Sequence, residues 1–393
     1  MTSLPIEELK TLVNSAVDAQ GQQLREIALK IHANPELGFQ EVKAAGWLSQ
    51  YLEENGFSLE RGVGEIPTAF KARYGQGEPA IALLAEYDAL PELGHACGHN
   101  LIATCAIGAG VAVKSVIDQL GGSIIIMGTP AEELYGGKII MAERGVFNDV
   151  DIAMIVHPGT DNTATTEALA CNTLEVEFWG KAAHAAARPE AGINALEAML
   201  LSFAAINALR QHIKSTARIH GIITDGGKAA NIVPAHSAGL FMVRAKENGY
   251  LDELKQKVLN CFTGAATATG ARLEYKWDNV CYAPMRNNRP LAQLFARNMR
   301  SLGRRVTLSE TGGGFGSTDM GNVSQLVPAI HPQVAIAKRG VSIHSPRFAV
   351  VAASEEGIEG MLDAAKSLAM TVVDLLASTE TVNQIKKEFH RQK

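Results

Sequence analysis

Three apolar runs in this 393-residue chain each stop at side chains able to hold a metal ion. Ile81-Ala82-Leu83-Leu84 runs into Glu86-Tyr87-Asp88 and then His95-Ala96-Cys97-Gly98-His99. Ser123-Ile124-Ile125-Ile126-Met127 runs into Pro130-Ala131-Glu132-Glu133, and Ile152-Ala153-Met154-Ile155-Val156 into His157-Pro158. Short runs rich in β-branched residues, separated by helical stretches, fit buried strands of a parallel sheet. Open sheets of that kind collect their working residues beyond the carboxyl ends of the strands. A thiol, imidazoles and carboxylates gathered at one sheet edge point to a metal centre. The expected fold class is therefore α/β, a mostly parallel sheet with helices on both faces.

A chain of this length is too long for one simple core, so two domains are expected. Apolar residues make up 47%, charged residues 20%, and the formal net charge is -5, which fits an ordinary globular protein. No basic block supports nucleic-acid binding. The apolar stretches read as too short, or too often broken by charge and glycine, to span a bilayer. Met1-Thr2-Ser3-Leu4-Pro5-Ile6-Glu7-Glu8 lacks a cationic then apolar leader pattern. The 5 cysteines are odd in number and widely spaced, which argues against a disulfide framework. A cytoplasmic location, with no nucleic-acid or membrane partner, is the resulting expectation.

A helix capped near Thr2-Ser3 should run to Ile31, and a second should cover residues 41–55 and stop at Gly56. The helix after His99, capped by Asn100, is nearly all apolar to Val116 and should be buried. After Gly159 the texture changes. Leu174, Val176 and Phe178 alternate with Glu175 and Glu177, as in a half-exposed antiparallel strand. With a helix at 193–213, strands at 219–224 and 237–246, a helix at 251–269 and a strand at 272–281, this describes a small α+β domain. That domain, residues 172–284, is inserted into a larger one made of residues 1–171 and 285–393. Beyond it come a helix at 290–302, a glycine-rich loop, a strand at 333–337, a closing helix at 354–376 and a charged end at 384–393 that should fray.

Cys97 and His99, two positions apart, can serve one metal, and zinc suits both donors. Taken singly, each also fits a small buried hydrophobe or a satisfied polar residue. Of the adjacent carboxylates Glu132 and Glu133, one can ligate while its neighbour takes a proton from metal-bound water; the pair also fits an acidic helix N-terminus. His157 and His344 add two imidazoles. With Asp88 to orient a ligand, this set suits two metals about 3.5–4 Å apart. His184 is given a separate role, and His32, His212, His220, His236 and His390 are read as structural or solvated.

The chain resembles the co-catalytic metallopeptidases of family 20, which include aminoacylases, hippurate hydrolase and the plant auxin-conjugate hydrolases. Asp-Ala-Leu-Pro (88–91), Gly-His-Ala-Cys-Gly-His (94–99), Pro-Ala-Glu-Glu (130–133) and His-Pro (157–158) carry the resemblance in order and spacing. Ser317-Thr318-Asp319-Met320-Gly321-Asn322-Val323-Ser324 is most like the subgroup of Xaa-Arg and β-alanyl-lysine dipeptidases and aminobenzoyl-glutamate hydrolase subunits. The resemblance implies a zinc-exopeptidase-like fold with a ferredoxin-like dimerisation or lid domain, and two divalent ions, zinc or manganese. It implies Cys97, His99, Glu133, His157 and His344 as ligands, Glu132 as general base and Asp88 as orienting residue. His184, reaching across a homodimer, would stabilise an oxyanion, and Asn231 and Arg244 would hold the substrate carboxylate. From the residues alone these three also fit a surface turn, a turn before Pro234 and an exposed strand position. Glu86 stands where many relatives have a ligating histidine, and Asn100 where many have aspartate.

The implied activity is hydrolysis of a dipeptide or N-acyl amino acid, an aminobenzoyl-glutamate-type amide being an alternative. Two other classes are a metal-independent thiol hydrolase, with Cys97 paired to His99 or His95, and a non-catalytic binding protein. The stretch Gly312-Gly313-Gly314-Phe315-Gly316-Ser317-Thr318 lacks the lysine of a phosphate-binding loop and fits a loop lining a substrate cleft.

Overall fold

The computed structural model describes residues 4–308 and 316–392. The Thr2-Ser3 cap and most of the glycine-rich loop lie outside the described residues. Two compact units emerge, one from residues 4–167, 285–308 and 319–392, the other from 168–284 with 316–318.

The first unit is built on a six-stranded sheet. Its spatial order is Ser58–Arg61, Phe70–Gln76, Gly122–Gly128, Ala80–Ala85, Ile152–Met154 and Ala329–Ile330. The last four strands pair in parallel, and the first two join them by antiparallel pairings. The fold is thus mixed α/β with a mostly parallel sheet. The two antiparallel strands escape the sequence reading because Ser58–Arg61 is short and largely exposed, and only Phe70 and Ala72 of Phe70–Gln76 are buried.

Residues 80–85 and 122–128 are buried on both faces, which is why they read as continuous apolar runs. Ile81, Leu83, Ile124 and Ile126 enter one core with the helices Ile6–His32, His99–Leu120 and Glu355–Leu376. Ala82, Leu84, Ile125 and Met127 enter a second core with Met141, Met320 and Val323. Each large aliphatic side chain so buried contributes about 1.5–3 kcal/mol.

Three expectations need correction. Asn100 does not cap the helix His99–Leu120; Gly98, at φ 80, precedes it without a side-chain cap. The Asn100 amide instead donates to the carbonyls of Ala28 (3.2 Å) and Ala352 (2.9 Å), tying the helix start to two neighbouring segments. At 22 residues this helix is also long and apolar enough to cross a membrane, but 83% of its apolar window is buried in the protein. At the C-terminal end, Thr379–Arg391 is helical rather than frayed, because Val382, Ile385 and Phe389 share one buried face.

The second unit holds a four-stranded antiparallel sheet in the order Arg272–Trp277, Ala170–Trp179, His236–Ala245, Arg218–Asp225. Leu174, Val176 and Phe178 face the helices Ala195–Leu209 and Asn248–Thr269, while Glu175 is exposed. The strand read as reaching residue 281 ends at Trp277.

Candidate metal centre

The strand Ala80–Ala85 ends just before Glu86 and Asp88, and a turn then carries Cys97 to the mouth of the helix beginning at His99. Gly98 is required there: a Cβ would lie 2.5 Å from Pro158 Cγ, and its φ of +80 favours glycine. The strand Gly122–Gly128 leads to Ala131, whose φ of 62 turns Glu132 and Glu133 back toward the first strand. His157 opens a separate two-stranded ladder, His157–Gly159 paired in parallel with Gln333–Ala335, rather than ending the third apolar run. His344, also at φ 62, is tied to the cysteine turn by its N–H donating to the Ala96 carbonyl at 3.0 Å.

The first unit brings seven of the expected residues together. Cys97 Sγ lies 3.3 Å from His157 Nε2 and 3.3 Å from His344 Nε2. Glu133 Oε1 lies 3.2 Å from His344 Nε2 and 3.7 Å from His99 Nε2. Glu132 joins His99 and Glu133 in a set whose donor atoms all lie within 4.8 Å of one another. Asp88 bridges the pieces, Oδ1 meeting His99 Nδ1 at 2.9 Å and Oδ2 accepting the Glu133 N–H at 3.0 Å.

These residues fit a metal. Ligand atoms around a tetrahedral ion with 2.0–2.3 Å bonds stand about 3.3–3.8 Å apart, the spacing seen across this cluster. His99 Nε2 is buried without a hydrogen-bond partner among the described residues, and its Nδ1 is committed to Asp88. His157 Nδ1 is likewise engaged, by the Pro158 carbonyl at 2.7 Å, which leaves Nε2 for the cluster.

The electrostatics follow from burial and crowding. Burial, reinforced by Glu86 and Asp319, pushes the Glu132 carboxyl well above the usual range. Burial opposes charge on Glu133, but His344 and His99 outweigh it and bring the carboxyl down to about 2. Burial pushes the Cys97 thiol well up, the opposite of what a free thiolate nucleophile needs. His95 makes no base for it: the ring is buried, and burial lowers the imidazole to about 3.

His184, Asn231 and Arg244 lie in the second unit. The Ala185 N–H donates to the Asn231 carbonyl at 3.0 Å, setting His184 and Asn231 side by side. His184 is exposed, and its Nδ1 accepts the N–H groups of Ala186 (3.3 Å) and Ala187 (3.2 Å), so the proton sits on Nε2. Arg244 Nη1 donates to Ser317 Oγ at 3.2 Å, and its buried Nε has no partner among the described residues.

Four residues escaped the sequence reading. Glu41 is fully buried; it accepts the Ala131 N–H at 2.8 Å and the Thr68 hydroxyl at 3.1 Å. Lys138 and Asp319, also buried, pair with each other, and Lys138 pairs with Glu86 as well. His331 packs on the His157 ring with centroids 5.5 Å apart. Two carry a sequence hint: Lys138 follows Gly136-Gly137 shortly after the carboxylate pair, and Asp319 lies within the stretch 317–324 singled out above, without a role given to it.

The model for peptidase family M20/M25/M40 matches residues 82–367, a span that includes every residue of the metal cluster and leaves Glu41 outside. The chain belongs to that family. As an M20 enzyme it is a metal-dependent hydrolase of peptide or related amide bonds, which removes the metal-independent thiol hydrolase and the non-catalytic protein. It is 35% identical to the Xaa-Arg dipeptidase of Mus musculus, covering 98% of this chain and 93% of that protein. It is 33% identical to a p-aminobenzoyl-glutamate hydrolase polypeptide of Escherichia coli (strain K12), covering 98% and 96%. Among solved structures, a dinuclear metal-binding M20 peptidase of Bacillus subtilis superposes with a TM-score of 0.70 at 21% identity, covering 91% of this chain and 99% of that one. An aminobenzoyl-glutamate utilization protein of Klebsiella pneumoniae superposes with a TM-score of 0.73 at 19% identity, covering 92% and 98%.

Proposed function

We propose that this M20 enzyme is a dipeptidase, working on dipeptides with a basic C-terminal residue or on related N-acyl amino acids. The observation that carries the catalytic part is the Cys97 thiol held between His157 and His344, with Glu133 shared by His344 and His99. Cys97, His99, Glu133, His157 and His344 would hold two divalent ions, zinc or manganese; thiolate and imidazole favour zinc, carboxylate suits manganese. When bound, such ions supply Lewis acidity toward the amide carbonyl and acidify water.

The chain's own groups do the rest. Glu132 takes the proton of the attacking water and returns it to the leaving amine. Asp88 holds the His99 ring and the Glu133 backbone in register. The Nε2–H of His184 faces the developing oxyanion, a donor worth about 2.7–4 kcal/mol. Arg244 grips the substrate carboxylate with its planar fork, and Asn231 adds a hydrogen bond.

The second unit supports a homodimer reading, with residues 172–284 as dimerisation and lid domain. Asn231 lies just before the start of the strand His236–Ala245, and Arg244 lies near its end. Eight residues of strand span about 26 Å. A dipeptide is too short to touch His184 beside Asn231 and Arg244 of the same chain, so one of the two comes from a partner subunit. The relatives' names supply the substrate class, and a cytoplasmic location completes the reading.

A hydrolysis panel on metal-loaded protein tests the substrate. It should include Xaa-Arg dipeptides, β-alanyl-lysine, aminobenzoyl-glutamate and N-acetyl amino acids. The highest kcat/KM is expected on the basic dipeptides; a preference for aminobenzoyl-glutamate overturns that choice.

A further inference from the structure

Lys138 is fully buried, and so are Glu86 and Asp319. Removing an ammonium from water costs several kcal/mol unless its partners are close and well placed. Here they are. The Lys138 ammonium contacts Glu86 Oε1 and, at 2.8 Å, Asp319 Oδ1, while the Lys138 backbone N–H donates to Asp319 Oδ2 at 2.9 Å. The three residues come from separate places: Glu86 follows a strand, Lys138 lies in the helix Gly137–Glu143, and Asp319 precedes the helix Met320–Leu326. Gly137 makes the approach possible, since a Cβ there would lie 1.9 Å from the Pro130 carbonyl oxygen.

One oxygen each from Glu86, Glu132 and Asp319 lie within 4.8 Å of one another. Three converging carboxylates at that spacing are what a divalent ion would take. We propose that the Lys138 ammonium is the resident cation of this carboxylate pocket, excluding a divalent ion from it and confining metal to the cluster around Cys97. A tethered ammonium has a high effective concentration at the pocket and outcompetes free ions. It also neutralises charge next to Glu132, so the general base shares its pocket with a fixed cation and not with an exchangeable one. Through Oε1, Glu86 is on this reading a partner of lysine, while its Oε2 lies 3.6 Å from His99 Nε2.

The proposal rests on the metal centre described above, and counting ions separates the two. Wild type, Lys138→Ala and Lys138→Ala/Asp319→Asn are stripped with chelator, titrated with Mn²⁺ and counted by calorimetry and plasma mass spectrometry. The wild-type count judges the metal centre; the difference between variant and wild type judges the role of Lys138. Lys138→Ala is expected to bind one Mn²⁺ per chain more than wild type, and the added Asp319→Asn is expected to abolish that gain. A folded Lys138→Ala with the wild-type count overturns the proposal, as does a gain that survives Asp319→Asn. If Lys138→Ala is recovered only as aggregate, refolding from denaturant decides. Recovery of Lys138→Ala with millimolar Mn²⁺ but not with chelator, while wild type refolds in both, supports the proposal; failure in both, or the same metal dependence in wild type, overturns it.

Discussion

Two buried carboxylates hold the backbone on either side of Glu132. Glu41 accepts the N–H of Ala131, and Asp88 accepts that of Glu133. Ala131 sits at positive φ, a conformation costly for a residue with a Cβ, so the turn needs such anchors. Loss of the Glu41 anchor should lower kcat by about 10–100-fold with little change in KM, since small misplacements of a base are expensive. Glu41→Gln keeps an oxygen for the Ala131 N–H and should retain most activity where Glu41→Ala does not; steady-state kinetics on the two variants checks this. Burial pushes the Glu41 carboxyl from 4.5 up to about 7. A raised carboxyl pKa means the folded state keeps a proton the unfolded state releases. That stabilisation is complete below pH 4.5 and is lost as pH rises through 7. The stability of Glu41→Gln relative to wild type should therefore grow by about 3 kcal/mol between those limits, measured by denaturant unfolding at each pH. Cys97, His99, Glu132, Glu133 and His157 were legible because they follow apolar runs or sit in motifs, whereas His344 was one imidazole among several until the resemblance singled it out. Glu41 was not legible, because an acid at a helix start has an ordinary explanation, and its partner N–H lies 90 residues away.

At the scale of elements, the site depends on turns whose glycines cannot carry a side chain. Gly98→Ala meets both the Pro158 ring and the positive φ, and it moves the two residues flanking it, Cys97 and His99. Overpacking of this kind costs about 1–3 kcal/mol. Gly46→Ala is the control: a helical glycine with open space around its Cβ position, where alanine should be neutral or stabilising. Thermal unfolding should rank Gly98→Ala well below wild type and Gly46→Ala at or above it. Divalent affinity should fall only in Gly98→Ala. The long helices were readable from apolar periodicity and the buried strands from continuous apolar runs. The terminal helix Thr379–Arg391 was not, since its charged surface masks one apolar face, and the pairing of His157–Gly159 with Gln333–Ala335 depends on contacts far apart in sequence.

For the whole molecule, the distance along one strand between the His184 and Arg244 ends makes the proposed dimer testable by complementation. His184→Ala and Arg244→Ala, each inactive alone, should recover about a quarter of wild-type activity when mixed and allowed to exchange subunits, because each mixed dimer has one intact site. No recovery after verified exchange contradicts a site shared between chains. The apolar runs and their terminal donors made the reaction class legible, whereas the choice of substrate depends on surfaces that periodicity does not encode. On the proposed reading, hydrolysis runs on metal held by the Cys97 cluster with Glu132 as base. Its most direct test is dipeptide turnover by wild type and Glu132→Gln at equal, measured metal content, with chelated wild type alongside. Turnover should fall by at least about 10²–10⁴-fold in Glu132→Gln at unchanged metal content, and chelation should abolish it. Full activity in metal-loaded Glu132→Gln, or in metal-free wild type, contradicts the account.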